Sequence, residues 1–254
     1  MRPFAAGLAQ QIVDARADGR VLAAPADHGL TPAEAYAIQA EVLASRLAAG
    51  GGVGGWKLGY TSQAMREQMG IAEPNFGPLA RAMILPAGAT MRQGITQPKA
   101  EPEIAAVIAR PVPAGADVAT VRSCVAEWRI ALEVVDSVWA DYRFDWSLNT
   151  ADGSSAAFVV LGPALAGARG WLPELPVELR RNGELVGRGH GSAAMGDPAV
   201  ALHWLVGQLA ERGLGLRPKD VVITGGITPA VPLEPGDRIE AMAGEASVRV
   251  LRAR

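Results

Sequence analysis

Residues 101–110 read EPEIAAVIAR: Glu101 and Glu103 stand at the head of a nearly continuous apolar run that closes at Arg110. A short apolar run bounded by polar residues predicts a strand buried in a core. Working outward, RIALEVVDS (129–137) and AAFVVLG (156–162) have the same character, and VGGWKLGY (53–60) and DVVITGG (220–226) add further strands. VELRRNGELVGRG (177–189) predicts a hairpin, because Asn182-Gly183 suits the positive-φ pair of a type I′ turn. DRIEAMAG (237–244) and ASVRVLRA (246–253) form a closing pair, expected to complete one mixed sheet. Between the strands, SQAMREQMG (62–70), VRSCVAEW (121–128) and AVALHWLVGQLAERG (199–213) read as helices, and EPNFGPL (73–79) as a turn. Short strands with few intervening helices favour an α+β fold, a mixed β-roll or barrel-like sheet, over a doubly wound one.

The first fifty residues differ in character. Phe4, Leu8, Ile12 and Val13 recur at helical spacing, and Thr31-Pro32-Ala33-Glu34 is a capping box with proline at the first helical position. That second helix runs through residues 35–49 and stops at Gly50-Gly51-Gly52. The triple glycine is the expected boundary between a helical N-terminal part, 1–52, and a main domain, 53–254.

The formal net charge of −2, with the basic residues scattered, argues against a nucleic-acid surface, which needs clustered Lys and Arg. Arg180, Arg181 and Arg188 read as solvated faces of the hairpin. Cys124 is the single cysteine, so neither an internal disulfide nor a thiolate zinc cluster is possible, and it reads as a buried structural thiol. No apolar run reaches the ~18 residues of a membrane span. Gln10, Gln11 and Asp14 interrupt any signal-like core near the start. The expectation is a cytoplasmic protein without membrane or nucleic-acid partners.

Three carboxylates carry the chemistry. Glu101 and Glu103, two apart in a strand, point to one face and repel unless a cation or a shared proton intervenes. Glu133 lies among apolar neighbours, where an unpaired carboxylate is costly. Together they form a candidate hard-cation site, Mg²⁺ or Mn²⁺ by all-oxygen ligation. Read by spacing alone, they also fit edge-strand charges and a salt-bridged core glutamate. Lys57, between Trp56 and Leu58, reads as a desolvated acid–base lysine or as one that snorkels to the surface. Thr224-Gly225-Gly226-Ile227-Thr228 lets backbone N–H groups approach an anionic ligand, or is a simple tight turn. It is neither a Walker A nor a dinucleotide fingerprint. His203 reads as a core histidine, and His190 as a loop residue near a possible site.

Seven collinear segments together resemble the hydratase and decarboxylase branch of the fumarylacetoacetate hydrolase superfamily. They are residues 55–70, EPNFGPL, QPKAEPEIAAVI (97–108), ALEVVDS (131–137), TADGSS (150–155), residues 181–205, and ITGGITPAV (223–231) followed by PGD (235–237). The resemblance covers nearly the whole chain. It implies a β-roll preceded by a small helical part, and a Mg²⁺- or Mn²⁺-dependent lyase. The substrate would be a small 2-oxo-enoate or 2-hydroxy-dienoate from meta-cleavage of aromatic rings, with the metal as Lewis acid at the 2-oxo oxygen. It implies Glu101, Glu103 and Glu133 as metal ligands and Lys57 as the family's strand lysine, a candidate for proton transfer or for binding the distal part of the substrate. It also implies substrate binding by Asn75, Ser155, Thr224, Gly226 and Thr228, and a homo-oligomer or a complex with a related pathway enzyme. The chain departs from the family pattern at three places. Pro102 separates the glutamates, which requires an edge or bulge there. Asn75 replaces an aspartate, removing an acid–base group. Gly153 and Ser154 stand where the family usually has Asn-Ala. ITGGITPAV and Asn75 tip the reading to a 2-oxo-3-hexenedioate decarboxylase, with a 2-hydroxypenta-2,4-dienoate hydratase close behind. A non-catalytic accessory subunit on the same fold is the alternative from a different class.

Overall fold

A computed structural model describes residues 3–63, 66–67, 70–91, 94–167 and 172–253, with the backbone alone at Ser45. Two helices open the chain, α1 (Pro3–Ala17) and α2 (Pro32–Ala49). The capping box at the start of α2 is formed: Thr31 accepts from the Glu34 N–H and Glu34 accepts from the Thr31 N–H. Leu8 and Ile12 of α1 and Ile38, Val42 and Leu43 of α2 bury against Val138, Trp139, Leu148 and Ala151. Phe4 falls outside that face and is 45% exposed.

The chain then builds a mixed sheet from β1 (Val53–Gly59), β2 (Asn75–Ala80), β3 (Ile84–Pro86), β4 (Lys99–Ile108), β5 (Val125–Val135) and β6 (Ala156–Ala164). Two later strands join it, β9 (Val221–Ile223) and β10 (Val231–Pro232). The order is β2-β1-β9-β4-β5-β6-β3, with β10 also on β4. Strands β1 and β9, and β3 and β6, pair parallel; the other pairs are antiparallel. A second, antiparallel sheet has the order β12-β11-β7-β8, from β7 (Pro176–Arg181), β8 (Glu184–His190), β11 (Arg238–Ala243) and β12 (Ala246–Leu251). Three helices complete the described elements: α3 (Val118–Ser123), α4 (Trp146–Ala151) and α5 (Pro198–Ala210). The expected α+β architecture with a mixed, roll-like sheet is the one that forms.

Several expectations are corrected. The closing pair, β11 and β12, joins the β7–β8 hairpin in the second sheet and does not complete the mixed one. The two sheets meet closely at Gly162, where an added Cβ would lie 2.7 Å from Val248 Cβ and 2.8 Å from Ile130. Residues 75–80, part of the expected turn, form β2. That strand is at the sheet's edge, where proline is tolerated, so Pro78 pairs with Trp56 without breaking a central ladder. Cys124 is buried as expected, but caps the C-terminus of α3; the residues after it are already β5. His203 is half-buried on α5, and His190 is an exposed residue ending β8. The helix expected over 62–70 falls partly outside the described residues. Asn182 (φ 55°) and Gly183 (φ 93°) form the hairpin turn. Arg180 and Arg188 pair with Glu178, and Arg181 with Asp237.

No helix among the described residues is long and apolar enough to cross a membrane.

Candidate metal centre and cavity

Strands β4 and β5 place the acidic residues. Glu101 pairs directly across the ladder with Glu133, and Glu103 with Ala131, whose small side chain leaves room. Opposed residues and residues two apart share a face, so all three carboxylates converge. One oxygen from each lies within 4.8 Å of the others. Pro102 is accommodated because β9 and β10 leave a gap between them along β4. In that gap the Pro102 carbonyl accepts from the Ile227 N–H, 3.0 Å, so the missing proline N–H faces no continuous ladder. The strand is locally an edge there.

Lys57 reaches the cluster from β1. Its Nζ is 3.0 Å from Glu133 Oε2 and donates to the Ser154 carbonyl, 2.8 Å. It is 3% exposed, so it does not snorkel. The Thr224–Gly226 segment closes the cluster from the end of β9. Gly225 N–H donates to Glu103 Oε2, 2.6 Å. Gly225 adopts φ 111°, and a Cβ there would overlap Thr61 Oγ1; a Cβ on Gly226 would overlap Glu101 Oε2. Both glycines are therefore steric requirements of the cluster.

The electrostatics call for a cation. Burial and the Glu133 charge push the Glu101 carboxyl up to about 7. Burial with Glu133 and Glu101 pushes Glu103 well above the carboxylate range. Burial alone would lower the Lys57 ammonium, but the three glutamates outweigh it and hold its pKa above the usual value. Glu103 Oε1 and Glu133 Oε1 are buried with no hydrogen-bond partner among the described residues. Three carboxylates against one ammonium leave two negative charges, which a divalent ion would balance. The hard oxygen donors fit Mg²⁺ or Mn²⁺.

Beside the cluster is a cavity of about 290 Å³, walled by residues including Lys57, Tyr60, Lys99, Glu101, Tyr142 and Ser155. Of the substrate-binding residues expected from sequence, Ser155 and Gly226 line it. Asn75, Thr224 and Thr228 do not. Asn75 is fully buried behind the wall, donating to Asn149 and Thr150 and accepting from Ser154. Thr224 Oγ1 donates to the Ile104 carbonyl, and Thr228 Oγ1 to that of Pro229.

Wall residues not singled out in the sequence include Tyr60, Thr61, Lys99, Tyr142, Phe144 and Asn149. Tyr60 is left-handed at φ 57°, a costly conformation for a bulky residue, and Arg66 holds its carbonyl and that of Thr61. The Tyr60 and Thr61 hydroxyls are buried without partners among the described residues. Period-two alternation could have found Lys99, since it lies two before Glu101 on the same face of β4. Nothing local in the sequence marks Tyr60 or Tyr142.

A family model described as fumarylacetoacetate (FAA) hydrolase C-terminal matches residues 60–250. The chain is 35% identical over 213 residues to 4-oxalocrotonate decarboxylase of Pseudomonas sp. (strain CF600), covering 83% of this chain and 81% of that protein. It is 36% identical over 234 residues to 2-keto-4-pentenoate hydratase of Burkholderia vietnamiensis (strain G4 / LMG 22486), covering 90% and 89%. Among solved structures it resembles 4-oxalocrotonate decarboxylase from Pseudomonas putida G7, complexed with magnesium and adipate. The TM-score is 0.91 at 31% identity, covering 100% of this chain and 98% of that one.

Proposed function

The chain belongs to the fumarylacetoacetate hydrolase family, and we propose that it is a divalent-metal-dependent lyase of the meta-cleavage type, acting as a 2-oxo-3-hexenedioate decarboxylase. The observation that carries this is the cluster of Glu101, Glu103 and Glu133, with two buried carboxylate oxygens that have no hydrogen-bond partner among the described residues, at the wall of a small cavity. In this reading the three glutamates hold Mg²⁺ or Mn²⁺, which supplies a Lewis acid for the negative charge that develops on the 2-oxo oxygen.

The other roles belong to the chain's own groups. Lys57 is kept protonated by its acidic neighbours. It acts as an acid, holding at Nζ the proton that the electron-rich carbon chain takes up after carbon dioxide leaves. The Ser154 carbonyl and Glu133 fix its direction. Ser155 and Gly226 meet the substrate, while Asn75, Thr224 and Thr228 shape the wall from behind. A homo-oligomer, or a complex with a related pathway enzyme, and cytoplasmic residence belong to the same proposal, carried over from the family resemblance.

The hydratase reading has its own support in relatives of comparable identity. A Mg²⁺-dependent ultraviolet assay with 2-oxohex-3-enedioate and 2-hydroxypenta-2,4-dienoate, with product identification, separates the two. Carbon dioxide release from the first is the expected result. Water addition to the second without carbon dioxide release would replace the decarboxylase by the hydratase. Silence on both with metal bound would favour a non-catalytic subunit.

A further inference from the structure

Lys99 differs from Lys57 in making no close ion pair among the described residues, although its charge acts on Glu101 from a longer distance. Its Nζ lies 3.9 Å from the centroid of the Tyr142 ring, and it makes no ion pair or hydrogen bond among the described residues. It is half-buried on the cavity wall. It also borders an outer recess with Asp141 and Glu234, and it pairs with neither. An ammonium parked on an aromatic face beside a substrate cavity is a ready receptor for an anion.

Position narrows the anion. Lys99 and Glu101 share a face of β4, and two residues of strand span about 6.6 Å. The carboxyl carbons of a six-carbon dicarboxylate are five carbon–carbon bonds apart, roughly 6 Å when extended. A ligand whose 2-oxo acid end sits at Glu101 therefore brings its far carboxylate to Lys99. We propose that Lys99, seated on Tyr142, binds a second carboxylate at the far end of the substrate, so that the cavity selects 2-oxo dicarboxylates over 2-oxo monocarboxylates of the same length. This rests on the reading of the Glu101 cluster given above and names the substrate class of that site.

The role fits decarboxylation. The C5–C6 bond breaks, its electron pair forms the C4–C5 double bond, and the C3–C4 pair shifts to C2–C3. The carbonyl pair moves onto the 2-oxo oxygen, carbon dioxide leaves, and one proton is then taken up. Holding the far carboxylate sets the C5–C6 bond against the plane of the conjugated system, which this electron flow requires. Lys99 is thus a positioning and specificity residue. A 2-hydroxypenta-2,4-dienoate has no far carboxylate and leaves Lys99 without a partner.

The test is calorimetric binding of two saturated analogues, 2-oxoadipate and 2-oxohexanoate, to the Mg²⁺-loaded protein. Wild type should bind 2-oxoadipate roughly 10- to 100-fold more tightly, the range for a hydrogen bond to a charged group. Lys99→Met should erase that preference and leave 2-oxohexanoate binding unchanged, and Lys99→Arg should keep most of it. Both analogues share the end that meets Glu101, so a change in the metal site moves both alike. Equal weakening of both in Lys99→Met, or no preference in wild type, would overturn the proposal. Failure of either analogue to bind while Mg²⁺ still binds would instead sink the underlying reading of the site as one for 2-oxo acids.

Discussion

At the residue scale, the proposed metal ligands and Lys57 make opposite predictions for metal affinity. Glu103→Gln keeps the side chain's shape but removes a charge and a hard donor. Mn²⁺ affinity should fall by more than about 100-fold, beyond what outer-shell changes cost, and turnover should fall with it. Lys57→Ala removes the positive charge 3.0 Å from Glu133. Metal affinity should hold or rise, because a competing cation is gone, while turnover drops for lack of the proton carrier. Titration with Mn²⁺ alongside steady-state rates distinguishes the two; unchanged turnover in Lys57→Ala would refute its assignment. Gly226 is subtler. A Cβ there would overlap Glu101 Oε2, so Gly226→Ala should weaken Mn²⁺ binding while leaving the melting temperature close to wild type. The three glutamates were legible in sequence because carboxylates at strand spacing in apolar surroundings violate the rule for buried charge. Tyr60, Thr61 and Tyr142 were not, because their places at the cavity depend on turns with positive φ and on long-range packing, which no local pattern encodes.

At the element scale, the turn at 152–155 is the joint between the helical part and the cluster. Gly153, Ser154 and Ser155 all have positive φ, an unfavourable run that needs support from its surroundings. Asp152 supplies part of it: fully buried, it accepts from the Val138 N–H and pairs with Arg16 of α1, whose guanidinium also donates to the Asp136 carbonyl. Asn75 supplies more through Ser154 and Asn149. On the front of the turn, the Ser154 carbonyl orients Lys57. Asp152→Ala leaves a largely buried guanidinium without its carboxylate and a buried N–H without its acceptor, at roughly 3–5 kcal/mol. A melting temperature lower by about 10 °C is the expected consequence; a shift of a degree or less would show that the pair adds little. The strands β1, β4, β5 and β6 were readable as apolar runs. Strand β2 was not, because its Gly77 and Pro78 carry turn chemistry. They are tolerated for two positional reasons: β2 is an edge, and Gly77 packs so closely on Gly153 that a Cβ would lie 3.1 Å from its carbonyl oxygen. The placement of β11 and β12 in the second sheet was equally hidden, since alternation marks a strand's faces but not its neighbours.

For the whole molecule, the acidic cluster couples folding to pH and to metal. An unfolded chain would ionise Glu101 near 4.5, whereas the metal-free fold holds it up at about 7, and Glu103 is also held well above the usual carboxylate range. Between those values the folded state binds more protons than the unfolded one, so stability falls as pH rises through the window. Metal-free protein should therefore lose melting temperature from pH 5 to pH 7.5, the reverse of what carboxylates with depressed pKa values produce. A divalent ion favours the ionised carboxylates and binds only the folded chain with its site assembled. Its stabilisation grows with the ratio of free ion to dissociation constant. That constant improves with pH as fewer protons must be displaced. The upward shift in melting temperature on adding Mg²⁺ should thus be larger at pH 8 than at pH 6, and adding chelator should abolish it at both. In Glu103→Gln the pH-dependent loss should be smaller and the Mg²⁺ shift nearly absent, since one ionisable ligand is gone. Thermal scans of both proteins across this range, with and without Mg²⁺, are the measurement. A metal-free wild type that gains stability steadily from pH 5 to pH 7.5 would mean that the three glutamates are neutralised from within the protein, and the cluster would have no need of a cation.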